Sequence, residues 1–194
     1  AIERSYTEGR VNAVGTGHES EGGRILTTPL HYAYLKIADG CNNHCTYCLI
    51  PKIRARYRSY PMESLLQEAE ALGDLSELIL VAQDTTRYGS DLYGKNMLSA
   101  LIRRLSALEN IEKIRLLYCY PDVIDDELIA EIAQNDKVIK YIDIPLQHSE
   151  DAVLRRMNRK GSRAEYLALI EKLRRAVPGI AVRSTFIAGF PGET

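Results

Sequence analysis

The sequence predicts an α/β fold in which parallel strands alternate with helical crossovers. Two observations carry that reading. Five short apolar runs recur along the chain, and they alternate with five stretches whose apolar residues repeat at helical spacing. A third observation limits the architecture. The last apolar run ends in Gly189-Phe190-Pro191-Gly192-Glu193-Thr194 with no helical pattern behind it. Five strands are too few for a closed eight-stranded barrel. An open or partial barrel, or a doubly wound sheet, is expected, truncated after about five strands.

Each element follows from its residues. Residues 1–23 read as a flexible linker and the stub of something longer, because Gly9, Gly15, Gly17, Gly22 and Gly23 interrupt a polar stretch without apolar period. The folded core is expected over 24–194. Tyr32 to Ala38 is the first strand, stopped by Asp39-Gly40. Pro61 opens a helix whose Leu65, Leu66, Ala69 and Leu72 share a face, and Gly73 closes it. Leu78 to Ala82 is a continuous apolar run, the pattern of a strand buried on both sides. Leu98, Leu101, Ile102, Leu105 and Leu108 give the next helical stripe, and Lys113 to Tyr120 the third strand. Asp125 can cap a short helix carrying Leu128, Ile129 and Ile132. Val138 to Pro145 is the fourth strand. Helical character returns at Val153, Leu154 and Met157. A further helix starts at Ser162, with Glu165 completing a capping box and Tyr166, Ile170, Leu173 and Val177 as its buried stripe. Ile180 to Ala188 is the fifth strand.

Composition narrows the function. At 45% hydrophobic and 26% charged residues the chain is globular and can bury a core. With 25 Lys+Arg against 26 Asp+Glu the net charge is −1, which excludes a generally basic protein that coats nucleic acid but leaves room for a local basic patch. No apolar run approaches the roughly 18 residues of a membrane span, and no secretory leader is visible at the N-terminus. The expected setting is cytoplasmic, with no membrane partner. The four cysteines are too few to staple a domain of 194 residues. Three of them fall within eight residues; Cys119 stands alone inside an apolar strand and reads as a buried structural thiol.

Cys41-Asn42-Asn43-His44-Cys45-Thr46-Tyr47-Cys48 is C-x3-C-x2-C and directly follows the first strand. That end of a parallel strand is the functional face of an α/β barrel. Three thiolates on one tight loop can bind three irons of a [4Fe–4S] cluster and leave the fourth open to a substrate. Zinc is the competing reading, and His44 could complete a Cys3His set, although its position between two of the cysteines is poor for a tetrahedron. A non-catalytic zinc-binding α/β module and inert thiols therefore stay open on spacing alone.

The same loop, with aromatic Tyr47 just before Cys48, resembles the radical S-adenosylmethionine (SAM) superfamily. The resemblance implies a partial (βα)6 TIM-like barrel, a [4Fe–4S] cluster on Cys41, Cys45 and Cys48, and SAM held by its amino and carboxylate groups on the open iron. It also implies an external electron donor and one-electron cleavage of SAM to methionine and a 5′-deoxyadenosyl radical. "YAYLKIADGCNNHCTYCLIPKIRARYRS", "LVAQDTTRYGSDLYG", "IDIPLQHSEDAVLRRMNR" and "STFIAGFPGET" further resemble the methylthiotransferase family, in order, across about residues 24–194. Within it, Asp84 after Gln83, "YCYPD" at 118–122 and "PLQH" look most like the branch that modifies an aspartate of a small-subunit ribosomal protein. The alternative branch modifies an adenosine in tRNA and typically carries Asn after that Gln. The chain departs from the family at Arg54-Ala55, where Arg-Gly is usual, and at Arg58-Ser59-Tyr60 in place of "RSR".

By the same resemblance, Gln83 and Asp84 face the methionyl end of SAM, Gln147, His148 and the strand-five segment with Arg183 its ribose or carboxylate, and Tyr47 the adenine. The plainer readings are that such residues are turn formers, that His148 caps the helix after Ser149, and that Arg183 meets a carboxylate such as Asp143. Lys52, Arg54, Arg56 and Arg58 form a basic run beside the cysteine loop, either a solvated face or a contact with the macromolecular substrate. The family draws its sulfur from a second cluster held by three cysteines of a separate N-terminal domain. This chain has only Cys119 beyond the loop, so that domain is expected to be missing here, as is the family's C-terminal RNA-binding-type β-barrel.

Overall fold

The computed structural model describes residues 27–193. The expected linker over 1–23 lies outside them. The parallel α/β reading holds. Strand β1 (Tyr32–Lys36) pairs in parallel with β4 (Glu77–Val81), and β4 pairs in parallel with β5 (Ile114–Leu116). Strand β6 (Tyr141–Asp143) pairs in parallel with β7 (Ala181–Arg183). The two ladders are joined where Ile114 bridges Val138 and where the Cys119 N–H donates to the Asp143 carbonyl at 2.8 Å.

Helices α2 (Met62–Ala71), α3 (Leu98–Ser106), α4 (Asp126–Gln134), α5 (Asp151–Arg156) and α6 (Arg163–Ala176) fall where the apolar stripes put them. Two caps form as their residues dictate. The Asp125 carboxylate accepts the Leu128 N–H at 2.8 Å, and the Ser162 hydroxyl accepts the Glu165 N–H while donating to the Glu165 carboxylate.

One buried cluster joins sheet and helices. Leu35, Leu78, Leu80, Ile114 and Leu116 from the strands share it with Leu65, Leu101, Leu105, Ile129 and Leu173 from α2, α3, α4 and α6. Burying each such side chain is worth about 1.5–3 kcal/mol. Between the strand members of this cluster, Tyr34, Ile79 and Arg115 lie in register across the sheet, and Arg115 stacks on Tyr141 and pairs with Glu77.

The strands are shorter than the apolar runs, for local reasons. The first run breaks at Ile37: Ala38–Asp39 (β2) peels away to pair antiparallel with Arg58–Ser59 (β3), a ribbon not expected from the sequence. The third run ends at Leu116, since Tyr118 adopts φ 58°, incompatible with a strand. The polar groups freed there are taken up by Asp143, whose carboxylate accepts the Tyr118 N–H at 3.2 Å. Also unforeseen were one helical turn, α1 (Ile50–Ile53), and two 3-10 turns at Thr85–Arg87 and Pro121–Val123.

Candidate functional site

The C-terminal ends of the parallel strands converge on one cavity of about 510 Å3. Cys41, Cys45 and Cys48 line it from the loop after β2; Gln83 follows β4, Tyr118 and Tyr120 follow β5, Gln147 follows β6 and Thr185 follows β7. A parallel sheet gathers its loops at this edge, which is why residues more than a hundred positions apart meet there.

The cysteine loop is fastened on several sides. The Cys41 N–H donates to the Ala55 carbonyl at 3.4 Å, and the Tyr57 N–H to the Asn42 side-chain oxygen at 3.1 Å. Asn43 donates through Nδ2 to the Asp84 carboxylate at 2.8 Å. The Thr46 N–H and hydroxyl reach the Met157 and Arg156 carbonyls, and Asn158 donates to the His44 carbonyl. The price of this geometry is local strain. All five non-glycine residues with positive φ among the described residues stand at the site or on its supports: His44, Ala55, Tyr118, Gln147 and Asn158. Strain gathered in this way is a mark of functional sites.

Burial raises the Cys41 thiol above its ordinary range, with the Asp84 carboxylate and the other two cysteines adding to the rise. A bound metal reverses that balance, since a coordinating thiol is deprotonated outright. Two buried polar atoms on the lining lack any hydrogen-bond partner, Gln83 Oε1 and Arg159 Nε. Buried polar atoms are rarely left so. Three thiols beside unpartnered polar groups in a cavity of this size fit an iron–sulfur cluster on the cysteines and a polar organic ligand above it.

His44 does not join the three cysteines on the lining of the main cavity. It lines a separate recess with Cys41, Pro51 and Arg56, away from Cys45 and Cys48. Among the described residues no three His, Cys, Asp or Glu donors gather around one ion position.

Of the residues singled out in the sequence, Tyr47, Gln83 and Gln147 join the three cysteines on the cavity lining. Tyr47 packs edge-on to Phe190, with ring centroids 6.3 Å apart, and burial raises its phenol. Asp84, His148 and Arg183 are not on the lining. Asp84, 1% exposed, has its carboxylate engaged within the protein by Asn43, Thr86 and Arg87. His148 accepts the Glu150 N–H on Nδ1 at 3.0 Å in the turn that leads into α5, and its Nε2 lies 3.2 Å from Glu193. Arg183 pairs with Asp143 at 3.1 Å. Sequence reasoning missed Arg159 and Tyr120. Arg159 lies in the run Arg155-Arg156-Met157-Asn158-Arg159, which reads as a solvated helix end; nothing in its local pattern marks one arginine as buried.

Comparison with known proteins decides the family. The sequence model of the radical SAM superfamily matches residues 35–194. The chain belongs to the radical SAM superfamily. It is similar to the radical SAM methyltransferase TsrM from Kitasatospora setae, solved with cobalamin and a [4Fe-4S] cluster bound, at a TM-score of 0.65 and 18% identity over 84% of this chain and 32% of that one. It is also similar to the cobalamin-dependent SAM radical enzyme OxsB, at a TM-score of 0.61 and 13% identity over 79% of this chain and 23% of that one. These likenesses show the radical SAM fold. Among curated relatives, the ribosomal protein uS12 methylthiotransferase RimO of Clostridium botulinum (strain Eklund 17B / Type B) is 57% identical over 177 residues, 90% of this chain and 40% of that protein. RimO of Caldanaerobacter subterraneus subsp. tengcongensis is 57% identical over 173 residues, 88% of this chain and 39% of that protein. The chain thus spans about 40% of the length of the curated relatives it matches.

Proposed function

We propose that this chain is the radical-generating core of a methylthiotransferase that modifies an aspartate of the small-subunit ribosomal protein uS12. The observation that carries the proposal is the convergence of Cys41, Cys45 and Cys48 on one cavity beside the unpartnered Gln83 Oε1 and Arg159 Nε. The names of the RimO relatives support the choice of substrate.

In this reading the three cysteine thiolates hold three irons of a [4Fe–4S] cluster. When bound, the cluster and SAM supply one-electron cleavage of SAM to a 5′-deoxyadenosyl radical, with the electron drawn from an external donor. The protein's own part is to bind and orient. Gln83, Gln147 and Thr185 offer neutral hydrogen-bonding groups to a zwitterionic ligand, and Tyr47 and Tyr120 offer aromatic walls. Asp143 holds Tyr118 at the rim through the Tyr118 N–H. Asp84 acts one step back, since it grips Asn43 of the cysteine loop. A cytoplasmic setting agrees with the substrate proposed; no helix among the described residues is long and apolar enough to cross a membrane.

The test is an assay of the full-length protein carrying this chain on purified uS12 and on tRNA. Methylthio transfer to the ribosomal protein is expected, with loss in Cys45→Ala. Transfer to tRNA instead would move the protein to the adenosine-modifying branch. The chain alone is expected to cleave SAM reductively without completing methylthiolation, because Cys119 by itself cannot hold a second cluster.

A further inference from the structure

Arg159 is a buried cation for which the described residues supply no carboxylate. It is 7% exposed, and its guanidinium lies 4.0 Å from the centre of the Tyr120 ring. Its Nη2 donates to the Pro145 carbonyl, its Nε has no partner, and its Nη1 lies 3.9 Å from Cys45 Sγ. Arg87 and Arg115, the other arginines drawn partly into the structure, are both paired with carboxylates. An unpaired buried charge is costly, and arginine cannot escape the cost by losing its proton. A site built around Arg159 therefore calls for an anion, and the sulfur it faces is one of the three cluster ligands. The Tyr120 hydroxyl stands 3.8 Å from the same sulfur. Cys41 is served differently, its Sγ accepting the Asn43 backbone N–H at 3.4 Å.

We propose that Arg159, stacked on Tyr120, is a positioning residue that directs its positive charge and one N–H, beside the Tyr120 hydroxyl, at Cys45 Sγ and so raises the reduction potential of the cluster on the three cysteines. The inference rests on the cluster reading above. Positive charge and hydrogen bonds at a ligand sulfur favour the more negative, reduced form of an iron–sulfur centre, and groups behind the ligands tune such centres as a rule. Tyr120 is needed because its ring fixes the guanidinium plane. A lysine at 159 keeps the charge but loses both the stack and the fork.

The test is a redox titration, followed by electron paramagnetic resonance, of the anaerobically reconstituted full chain and its Arg159→Met, Arg159→Lys and Tyr120→Phe variants. Arg159→Met is expected to load as much iron as the parent, with the midpoint lowered by about 59 mV, a tenfold change in the oxidised-to-reduced ratio of a one-electron couple. Arg159→Lys recovers part of that shift, and Tyr120→Phe lowers the midpoint by less than Arg159→Met does. Equal midpoints in the loaded parent and Arg159→Met overturn the inference and leave the cluster reading standing. A parent that takes up no cluster defeats the cluster reading itself. Should Arg159→Met fail to load, Arg159→Lys decides: a midpoint below the parent's supports the inference, and an unchanged one overturns it.

Discussion

Replacing Ala55 by glycine is expected to stabilise the chain without altering the chemistry of the site. Ala55 adopts φ 61°, in the left-handed region, directly behind the cysteine loop. Its carbonyl receives the Cys41 N–H, so its conformation is tied to the position of the first ligand. The approach is close: a Cβ added to Gly40 would stand 2.3 Å from the Arg56 carbonyl oxygen and 2.8 Å from that of Ala55. An L-residue with a Cβ in the left-handed region costs about 1–2 kcal/mol. Glycine removes that cost but returns roughly 0.4–1 kcal/mol through the greater freedom of the unfolded chain. The net gain is about 0.5–1 kcal/mol, which for a domain of this size raises Tm by about 1–4 °C. Thermal unfolding of the metal-free chain, followed by far-ultraviolet circular dichroism, measures this directly. Ala55→Val serves as the opposite control, since a β-branched side chain fits this region worse. A Tm for Ala55→Gly at or below the parent's would refute the reasoning, as would a Val variant of equal stability. The family's usual Arg-Gly at this place then has a backbone explanation: glycine suits the φ that the loop demands.

Other perturbations separate support from chemistry. Asp84→Asn should destabilise the chain by about 2–3 kcal/mol in urea unfolding, less than the 3–5 kcal/mol of a fully orphaned buried charge, because Arg87 keeps Asp122; a change within error would show that Asp84 does not tie the cysteine loop down. Cys119→Ser places a hydroxyl in a fully buried apolar site at a cost of about 1–3 kcal/mol, while iron loading stays at the parent level, and a fall in iron per folded chain would contradict its structural role. For Asp39 burial alone would raise the carboxyl, but the Lys36 hydrogen bond, the Gly40 N–H and the charges of Lys36 and Arg54 hold it below the usual range. A depressed pKa gives stability that is present above the unfolded value of about 3.9 and is lost as pH falls through the folded one. The stability gap between the parent and Asp39→Asn should therefore be flat above about pH 5 and close as pH drops below about 4; a gap independent of pH would remove Asp39 from the account.

The sequence showed the parallel α/β plan because apolar periodicity survives in every helix and strand of the core. Strand ends were less legible. Tyr118 sits in an apolar run that reads as strand to Tyr120, yet it turns left-handed there. The signal that turns it is Asp143, 25 residues away, whose carboxylate and carbonyl take the Tyr118 and Cys119 N–H groups. The site was legible where it is local. The cysteine spacing lies within one loop, and Gln83 and Gln147 each end a recognisable run. Arg159 was not legible, since its burial depends on Tyr120 and Cys45, 39 and 114 positions away in sequence and brought together only by closing the sheet. Asp84, His148 and Arg183 show the converse: Arg183 ends a strand, Asp84 and His148 lie a few residues beyond one, and each has its polar group satisfied by a protein neighbour.

The chemistry of the site turns on what Cys41, Cys45 and Cys48 hold. Anaerobic reconstitution with iron and sulfide, followed by iron and labile-sulfide analysis, measures that. Roughly four irons per chain are expected, with the iron absorbance lost in Cys45→Ala and kept in Cys119→Ser. Binding of well under four irons, firm retention of zinc in their place, or an unchanged iron absorbance in Cys45→Ala would contradict the cluster reading.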